Sequence, residues 1–448
     1  MASVTNTSAS YAGAITRVID KEALEVAQRY LIVYQFADKK QMETGHGTNW
    51  TATRWSRLSL PLGPVGEGVA PDAQALSFTQ VTGTALQWAG RVIFTDVAVV
   101  ATQHDLLHQA TERLGMQMAE LKERNGFNNL LAGTQVNYVN SRGARASIVA
   151  GDNLDPTTIN RTIANLKLLG APLYNGQTGE TIQRSIDYSA RQSEKTIKGA
   201  QHLVGISNTL CLNDLANNPL VVQTWQYSDH NRLYINEIGY WRGITFCESN
   251  IMPSWVGVAG VSASNGSGSL TTGTYAIQVT GWDTQNQYES RVYAVTTGVS
   301  VTTGGITLTT PSTPGFTYAV YVSQPASTSP ANLGLCTAGP LTGPYQGQAI
   351  QLPPATSVTI TGIGLLQVPP AAPGIGITVY PTFIFGQKSF ACLKLENVSW
   401  NRLFEADKSD PHNQLRVIGY KFFEGWVILN QQFLARIEST ASNSGNFG

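Results

Sequence analysis

With 448 residues, the chain exceeds what one hydrophobic core usually holds, so two domains, or one large domain carrying an insertion, are expected. Charged residues make up 13% of it, against about 25% in ordinary soluble domains. Lys plus Arg (29) balances Asp plus Glu (29), which excludes a strong field for gathering nucleic acid or an anionic membrane and leaves only weak, local contact with DNA. Met1 to Ala14 lacks the basic cluster and apolar run of a secretory signal, and no run of about eighteen apolar residues occurs, so neither export nor a membrane span is expected. Cys211, Cys247, Cys336 and Cys392 lie far apart without a Cys-x-x-Cys pair and read as buried free thiols in a reducing cytoplasm.

From Ile19 to Lys40 the pattern predicts a helix, with Leu24, Ala27 and Leu31 on one stripe and Glu25 one turn before Arg29; residues 1–49 thus form an N-terminal arm and helix. Residues 50–95 turn to β character. Leu58, Leu60 and Leu62 alternate around Pro61 and lead into Gly63, Pro64, Gly66 and Gly68; Leu86, Trp88, Val92 and Phe94 follow, so the segment reads as one long hairpin with a wide loop. A two-stranded hairpin is marginal alone, and one bearing Trp55, Leu58, Leu60, Leu86 and Trp88 needs a covering surface, which a neighbouring subunit could supply.

Residues 96–255 begin with a helix over His104 to Asn125, where Leu107, Ala110, Leu114, Met118 and Leu121 recur at three- and four-residue spacings and Gly126 supplies a stop. A second helix is capped by Asp155, carries Pro156 in its first turn, buries Ile159, Ile163, Leu166 and Leu169, and ends at Gly170 and Pro172. Ile182 to Lys198 scatters Arg, Lys and Glu among few large apolar residues and reads as an exposed helix or ordered loop.

Between Val256 and Ile375 only Asp283, Glu289 and Arg291 are charged, while Gly, Ser, Thr and Pro dominate. A disordered linker would share that composition. Period-two runs at Tyr275, Ile277 and Val279, at Ile306 and Leu308, at Tyr318, Val320 and Val322, and at Val358 and Ile360 instead predict short strands of a β-sandwich. Gly281 to Ser290 and Tyr318 to Ser323 resemble immunoglobulin-like or fibronectin-type-III-like modules. Charge and aromatics return at Tyr380-Pro381-Thr382-Phe383, so residues 376–448 resume the earlier domain around an insertion at 256–375.

Catalysis finds little foothold. His104, Asp105 and His108 place two imidazoles one helical turn apart with an acid between them, nearly a zincin helix, but the usual Glu is replaced by Asp and no third ligand follows at a metzincin-like spacing. Gly63, Gly66 and Gly68 do not form a phosphate loop, because no Lys-Ser/Thr follows and no helix starts there; they fit a hairpin tip. No catalytic residue, metal or cofactor is assigned.

Three stretches in order resemble the major capsid proteins of tailed bacteriophages, in particular the N-four-like podophage branch with the Hong Kong ninety-seven type shell fold. The first comprises Val65-Gly66-Glu67-Gly68-Val69-Ala70-Pro71, then Arg91-Val92-Ile93-Phe94-Thr95-Asp96 and the helix from Asp105. The second is Glu237-Ile238-Gly239-Tyr240-Trp241-Arg242-Gly243-Ile244-Thr245-Phe246 followed by Met252-Pro253. The third includes Phe385-Gly386, Asp410-Pro411, Val417-Ile418-Gly419-Tyr420-Lys421, Leu429-Asn430 and Arg436-Ile437-Glu438.

The resemblance implies an α+β shell subunit with a spine helix, peripheral and axial domains, an extended loop and an N-terminal arm. It would assemble in the bacterial cytoplasm, through hexamers and pentamers, into an icosahedral virion capsid around double-stranded DNA, with portal and scaffold or cement proteins as further partners. Arg54, Trp55, Arg57, Leu58, Leu60, Gly66, Glu67, Gly68 and Trp88 would make subunit contacts, and Glu237, Gly239, Arg242, Gly243, Asp410, Pro411 and Lys421 would be structural motif residues. Some relatives weld neighbours through a loop lysine; there is no Lys between Lys40 and Lys122 here, so packing must hold the shell. A tail-fibre or adhesin-like binding protein, suggested by the Ser/Thr-rich sandwich, is the competing reading, and a metal hydrolase using His104, Asp105 and His108 a third.

Overall fold

The computed structural model describes residues 32–43, 45, 47–56, 58–60, 63–64, 73–97, 106–174, 183–185, 196–198, 202–221, 237–268, 270–284, 288–302, 304–323, 333–335, 352–360, 369–403 and 414–442. The fold is α+β, with many strands and few helices. The chain divides into two units, Met1–Leu130 with Lys388–Gln431, and Leu131–Gln387 with Gln432–Gly448.

In the first unit a four-stranded sheet runs in the order Asp38–Gln41, Phe390–Leu403, Leu415–Ile428, Leu86–Thr95, with the first pair parallel and the others antiparallel. Alternation along the strands places Trp88, Val92 and Phe94 on the same face as Ile418, Tyr420 and Phe422. There they pack against Ala110, Leu114, Met118 and Ala119 of the 26-residue helix Leu106–Leu131. Ala391, Leu393 and Val427 form a second core with Met42 and Ala85.

Three expectations for this unit change. Of the Ile19 to Lys40 stretch, only Ile32–Phe36 is helical among the described residues; residues 19–31 lie outside them, and Asp38–Gln41 is a strand. Backbone pairing with Ala391 to Lys394 overrides the weak local helix pattern. Gly126 does not stop the long helix, which continues to Leu131. A Cβ at Gly126 would stand 2.9 Å from Val33 Cγ1 and 3.2 Å from Trp426 Cη2, so glycine is required there by close packing. Finally, Leu86–Thr95 is not the return strand of the hairpin. Asn49–Trp55 pairs with Phe78–Thr84, while Leu86–Thr95 turns away at buried Ala85 to join the sheet.

In the second unit the helix Pro156–Leu168 forms as its sequence signals require. The Asp155 carboxylate accepts hydrogen bonds from the Thr157 and Thr158 amides at 3.1 and 3.2 Å, and Gly170 turns the chain at φ 75°. Ile159, Ile163 and Leu166 enter a core with Leu212, Leu215, Phe246, Ile384 and Ile437. Leu169, expected on that stripe, is 40% exposed and lies beyond the last helical turn. Gln183–Ser185 and Thr196–Lys198 pair as antiparallel strands where a helix or loop was expected; residues 186–195 lie outside the described residues.

A 12-stranded sheet passes through Leu333–Leu335, Phe316–Ser323, Gly273–Asp283, Tyr288–Tyr293, Trp255–Val258, Thr378–Phe385, Leu203–Ser207, Ile244–Glu248 and Glu237–Trp241, with three further strands off this path. The strands expected around Tyr275, Ile306, Tyr318 and Val358 are present. A separate sheet of Ala263–Ser267, Gly304–Thr309 and Ser357–Ile360 contributes Ile306, Leu308 and Ile360 to a core that it shares with Ile277, Val279, Tyr318 and Val320. Cys211, Cys247 and Cys392 are buried thiols; Cys336 lies outside the described residues.

Candidate functional site

The hairpin Asn49–Trp55 with Phe78–Thr84 has a packed base and a bare outer end. At the base, Trp50 and Val81 pack on the core of Ala391, Leu393 and Val427, and Ala85 N donates to Thr48 O at 2.9 Å. A Cβ at Gly83 would reach within 2.7 Å of Leu393 Cδ1, and one at Gly425 within 2.2 Å of Thr84 O; the missing side chains let the hairpin sit close to the sheet.

Toward the outer end the side chains lose cover. Trp55 pairs across the ladder with Phe78, the two rings meeting edge-on at 5.4 Å, yet they are 61% and 53% exposed. Ser56 N donates to Ser77 O at 2.8 Å and Gln74 Nε2 to Ser59 O at 3.0 Å, which keeps the two limbs together past the last strand residue. Leu58, Leu60 and Leu76 are 49%, 76% and 65% exposed. Trp55, Leu58, Leu60, Leu76 and Phe78 thus leave five large apolar side chains exposed on this part of the chain. Covering the exposed part of each would gain about 1–2 kcal/mol.

The sequence-derived contact residues therefore separate. Trp55, Leu58 and Leu60 lie on the bare end, and Arg54 is exposed opposite Thr79. Trp88 belongs instead to the sheet, packed in the core under the long helix. Arg57, Gly66, Glu67 and Gly68 lie outside the described residues. Sequence reasoning missed Leu76 and Phe78, although their alternation with Ser77 could have placed the return strand.

Among the motif residues, Glu237 and Gly239 lie on a strand paired with Ile244–Glu248. Arg242 and Gly243, at φ 47° and 87°, form the two-residue turn between these strands, a geometry that glycine meets without strain. The Arg242 guanidinium lies 5.7 Å from the centre of the Trp241 ring, and Lys421 Nζ lies 5.6 Å from that of Phe423. Asp410 and Pro411 are outside the described residues, as are His104 and Asp105; His108 is exposed. Among the described residues no group of three or more His, Cys, Asp or Glu side chains is arranged to hold a metal ion.

Two buried polar networks escaped the sequence reading. In the second unit Glu438, fully buried, takes a bidentate pair from Arg145 at 2.7 and 2.7 Å and a third contact from Arg436 Nε at 3.0 Å. Arg145 also lies 3.7 Å over the Trp255 ring and donates to Ala371 O at 2.9 Å. In the first unit the buried carboxylate of Glu123 accepts from the amides of Ile32 and Val33, at 3.0 Å and at 3.1 and 3.3 Å. Burial pushes the Glu123 carboxyl up to about 8, against the opposing pull of the Val33 and Ile32 amides. Beside it in sequence, Lys122 pairs with buried Glu424 at 3.3 Å.

No protein-family model matches the chain, and no curated protein does. Solved structures with a similar course of the chain include the capsid of Ralstonia phage GP4, with a TM-score of 0.48 and 9% identity over 90% of this chain and 87% of that one. The Cyanophage Pam1 capsid asymmetric unit gives 0.47 and 10% over 91% and 89%. The capsid of the Cyanophage P-SCSP1u gives 0.46 and 10% over 90% and 87%.

Proposed function

We propose that the chain is the major capsid protein of a tailed bacteriophage, a structural subunit that self-assembles through hexamers and pentamers into an icosahedral shell enclosing double-stranded DNA. The observation that carries this reading is the hairpin whose base is packed and whose outer residues Trp55, Leu58, Leu60, Leu76 and Phe78 are exposed. Such an arm loses its apolar exposure when it lies on another copy. One patch meeting a different patch on the next copy is a heterologous contact, which closes into rings on rotational axes. The ordered capsid-like motifs give the same reading, and the long one-faced helix with its strand layer fits the spine and peripheral elements expected of such a subunit.

The segment 256–375 is proposed as an insertion that projects from the shell. Its ends support this: Trp255 pairs with Val379 and Val256 with Thr378, so the chain leaves and returns at neighbouring hydrogen-bonded positions. Portal and scaffold or cement proteins would complete the particle, and DNA contact would be non-specific.

The test is to express the full chain and examine it by light scattering and negative-stain electron microscopy beside a Trp55→Ser/Phe78→Ser variant. Closed shells or capsomer rings from the parent, lost in a folded variant, support the proposal. Slender trimers would replace it with the adhesin reading, and assembly unaffected by the double substitution would remove the hairpin from its centre.

A further inference from the structure

The strand Asp38–Gln41 lies parallel to Phe390–Leu403 with Lys39 beside Cys392 and Gln41 beside Lys394. Residues two apart on a strand share a face, so Lys39 and Lys394 stand diagonally on one face of the sheet. Tyr34 of the short helix Ile32–Phe36 lies over that face. Lys39 Nζ is 4.7 Å and Lys394 Nζ 4.8 Å from the centre of its ring. Two ammonium groups thus share one aromatic ring.

Three carboxylates near this cluster, those of Glu424, Glu123 and Asp38, have other partners. Glu424, opposite Lys394 in the antiparallel register, pairs with Lys122 at 3.3 Å and accepts from Trp426 Nε1 at 2.8 Å. Glu123 holds the Ile32 and Val33 amides, and burial favours its neutral form. Asp38 pairs with Lys40 at 3.0 Å. Glu396, two residues beyond Lys394, makes no ion pair with either lysine among the described residues. Among the described residues Glu424 is ion-paired with Lys122, and neither Lys39 nor Lys394 has an ion-pair partner of its own. Ring contact eases the repulsion of two ammoniums but neutralises neither. Burial, and then the charge of Lys394, hold the Lys39 ammonium below its usual value, with Cys392 acting the opposite way. Lys39 itself is exposed, so a solute can reach it, whereas Lys394 and Tyr34 are half-buried and held by the sheet and helix. Donors fixed around an excess of positive charge match an oxyanion, whose oxygens accept several charge-assisted hydrogen bonds at once.

The geometry points to an oxyanion-binding site formed by Lys39 and Lys394 over the Tyr34 ring, suited to a phosphate group. The phosphate could be inorganic or belong to a nucleic-acid backbone, and the site stands independently of whether the chain forms a shell.

Lysine acylation followed by mass spectrometry tests it on the purified full chain, with inorganic phosphate as the probe and chloride at the same ionic strength as the control. With phosphate at about twice its dissociation constant, labelling of Lys39 and Lys394 should slow about threefold, while Lys40 and Lys167 stay unchanged. Lys39→Gln, on an exposed edge position, should abolish the protection of Lys394. Short duplex DNA protecting at a lower phosphate concentration would assign the site to a nucleic-acid backbone; protection by inorganic phosphate alone would assign it to the free ion. Equal protection of all four lysines, or of none by any probe, would overturn the proposal.

Discussion

Replacing Glu438 with Gln in the second unit keeps the side chain's shape and removes its charge. Two guanidiniums, on residues only 5% and 9% exposed, then remain without their shared carboxylate. Breaking a buried pair in this way costs about 3–5 kcal/mol, because the remaining charge keeps its desolvation penalty and loses its compensation. Here two cations share the one anion, although Trp255 and the Ala371 and Leu131 carbonyls still hold them. The assay is hydrogen exchange read by mass spectrometry on peptides covering Leu434–Ser439, the strand that carries Arg436 and Glu438. A loss of about 3–5 kcal/mol speeds exchange there between about a hundredfold and a few thousandfold. Replacing the group together, Arg145→Met, Arg436→Met and Glu438→Leu, should cost less than Glu438→Gln alone, since no charge is left stranded. A change below about fivefold for Glu438→Gln, roughly 1 kcal/mol, would refute the reasoning.

Three further outcomes follow from the same structure. The Glu123 carboxyl titrates at about 8 folded and near 4.5 in the free acid, so its contribution to stability is present below about 4.5 and is lost as pH rises through 8; urea midpoints across that range should fall for the parent and stay flatter for Glu123→Gln. Gly126→Ala adds helix propensity worth about 1 kcal/mol but drives a Cβ against Val33 and Trp426, for a net loss of about 1–2 kcal/mol in thermal or urea unfolding; a gain would show that those contacts yield freely. Replacing residues 259–374 with a short Gly-Ser link should leave exchange protection in the helix Pro156–Leu168 near that of the parent, because the flanking strands pair directly; collapse of that protection would show that the segment is integral to the unit.

Legibility followed locality. The helix Pro156–Leu168 was readable because Asp155, Pro156, Gly170 and the Ile159, Ile163, Leu166 stripe all lie within one short window. The strands of the Gly- and Ser-rich segment were readable by alternation alone. What could not be read was which strand pairs with which. The sheet that joins Tyr288–Tyr293 through Trp255–Val258 to Thr378–Phe385 depends on backbone pairing between distant segments, and no single-strand pattern records it. The same blindness assigned Leu86–Thr95 to the hairpin and Asp38–Gln41 to a helix. At the candidate site, the apolar residues Trp55, Leu58 and Leu60 stood out because their number exceeded what a lone hairpin can cover. Phe78 did not, because the register that sets it against Trp55 was unknown. Arg145 and Glu438, 293 positions apart, offered no local signal.

The shell proposal is tested most directly by an electron-microscopy density map of assembled particles at side-chain resolution. It should show closed icosahedral shells in which Trp55, Leu58, Leu60, Leu76 and Phe78 of each copy are buried against an adjacent copy. Non-shell assemblies, or shells in which that hairpin end stands in solvent, would contradict it.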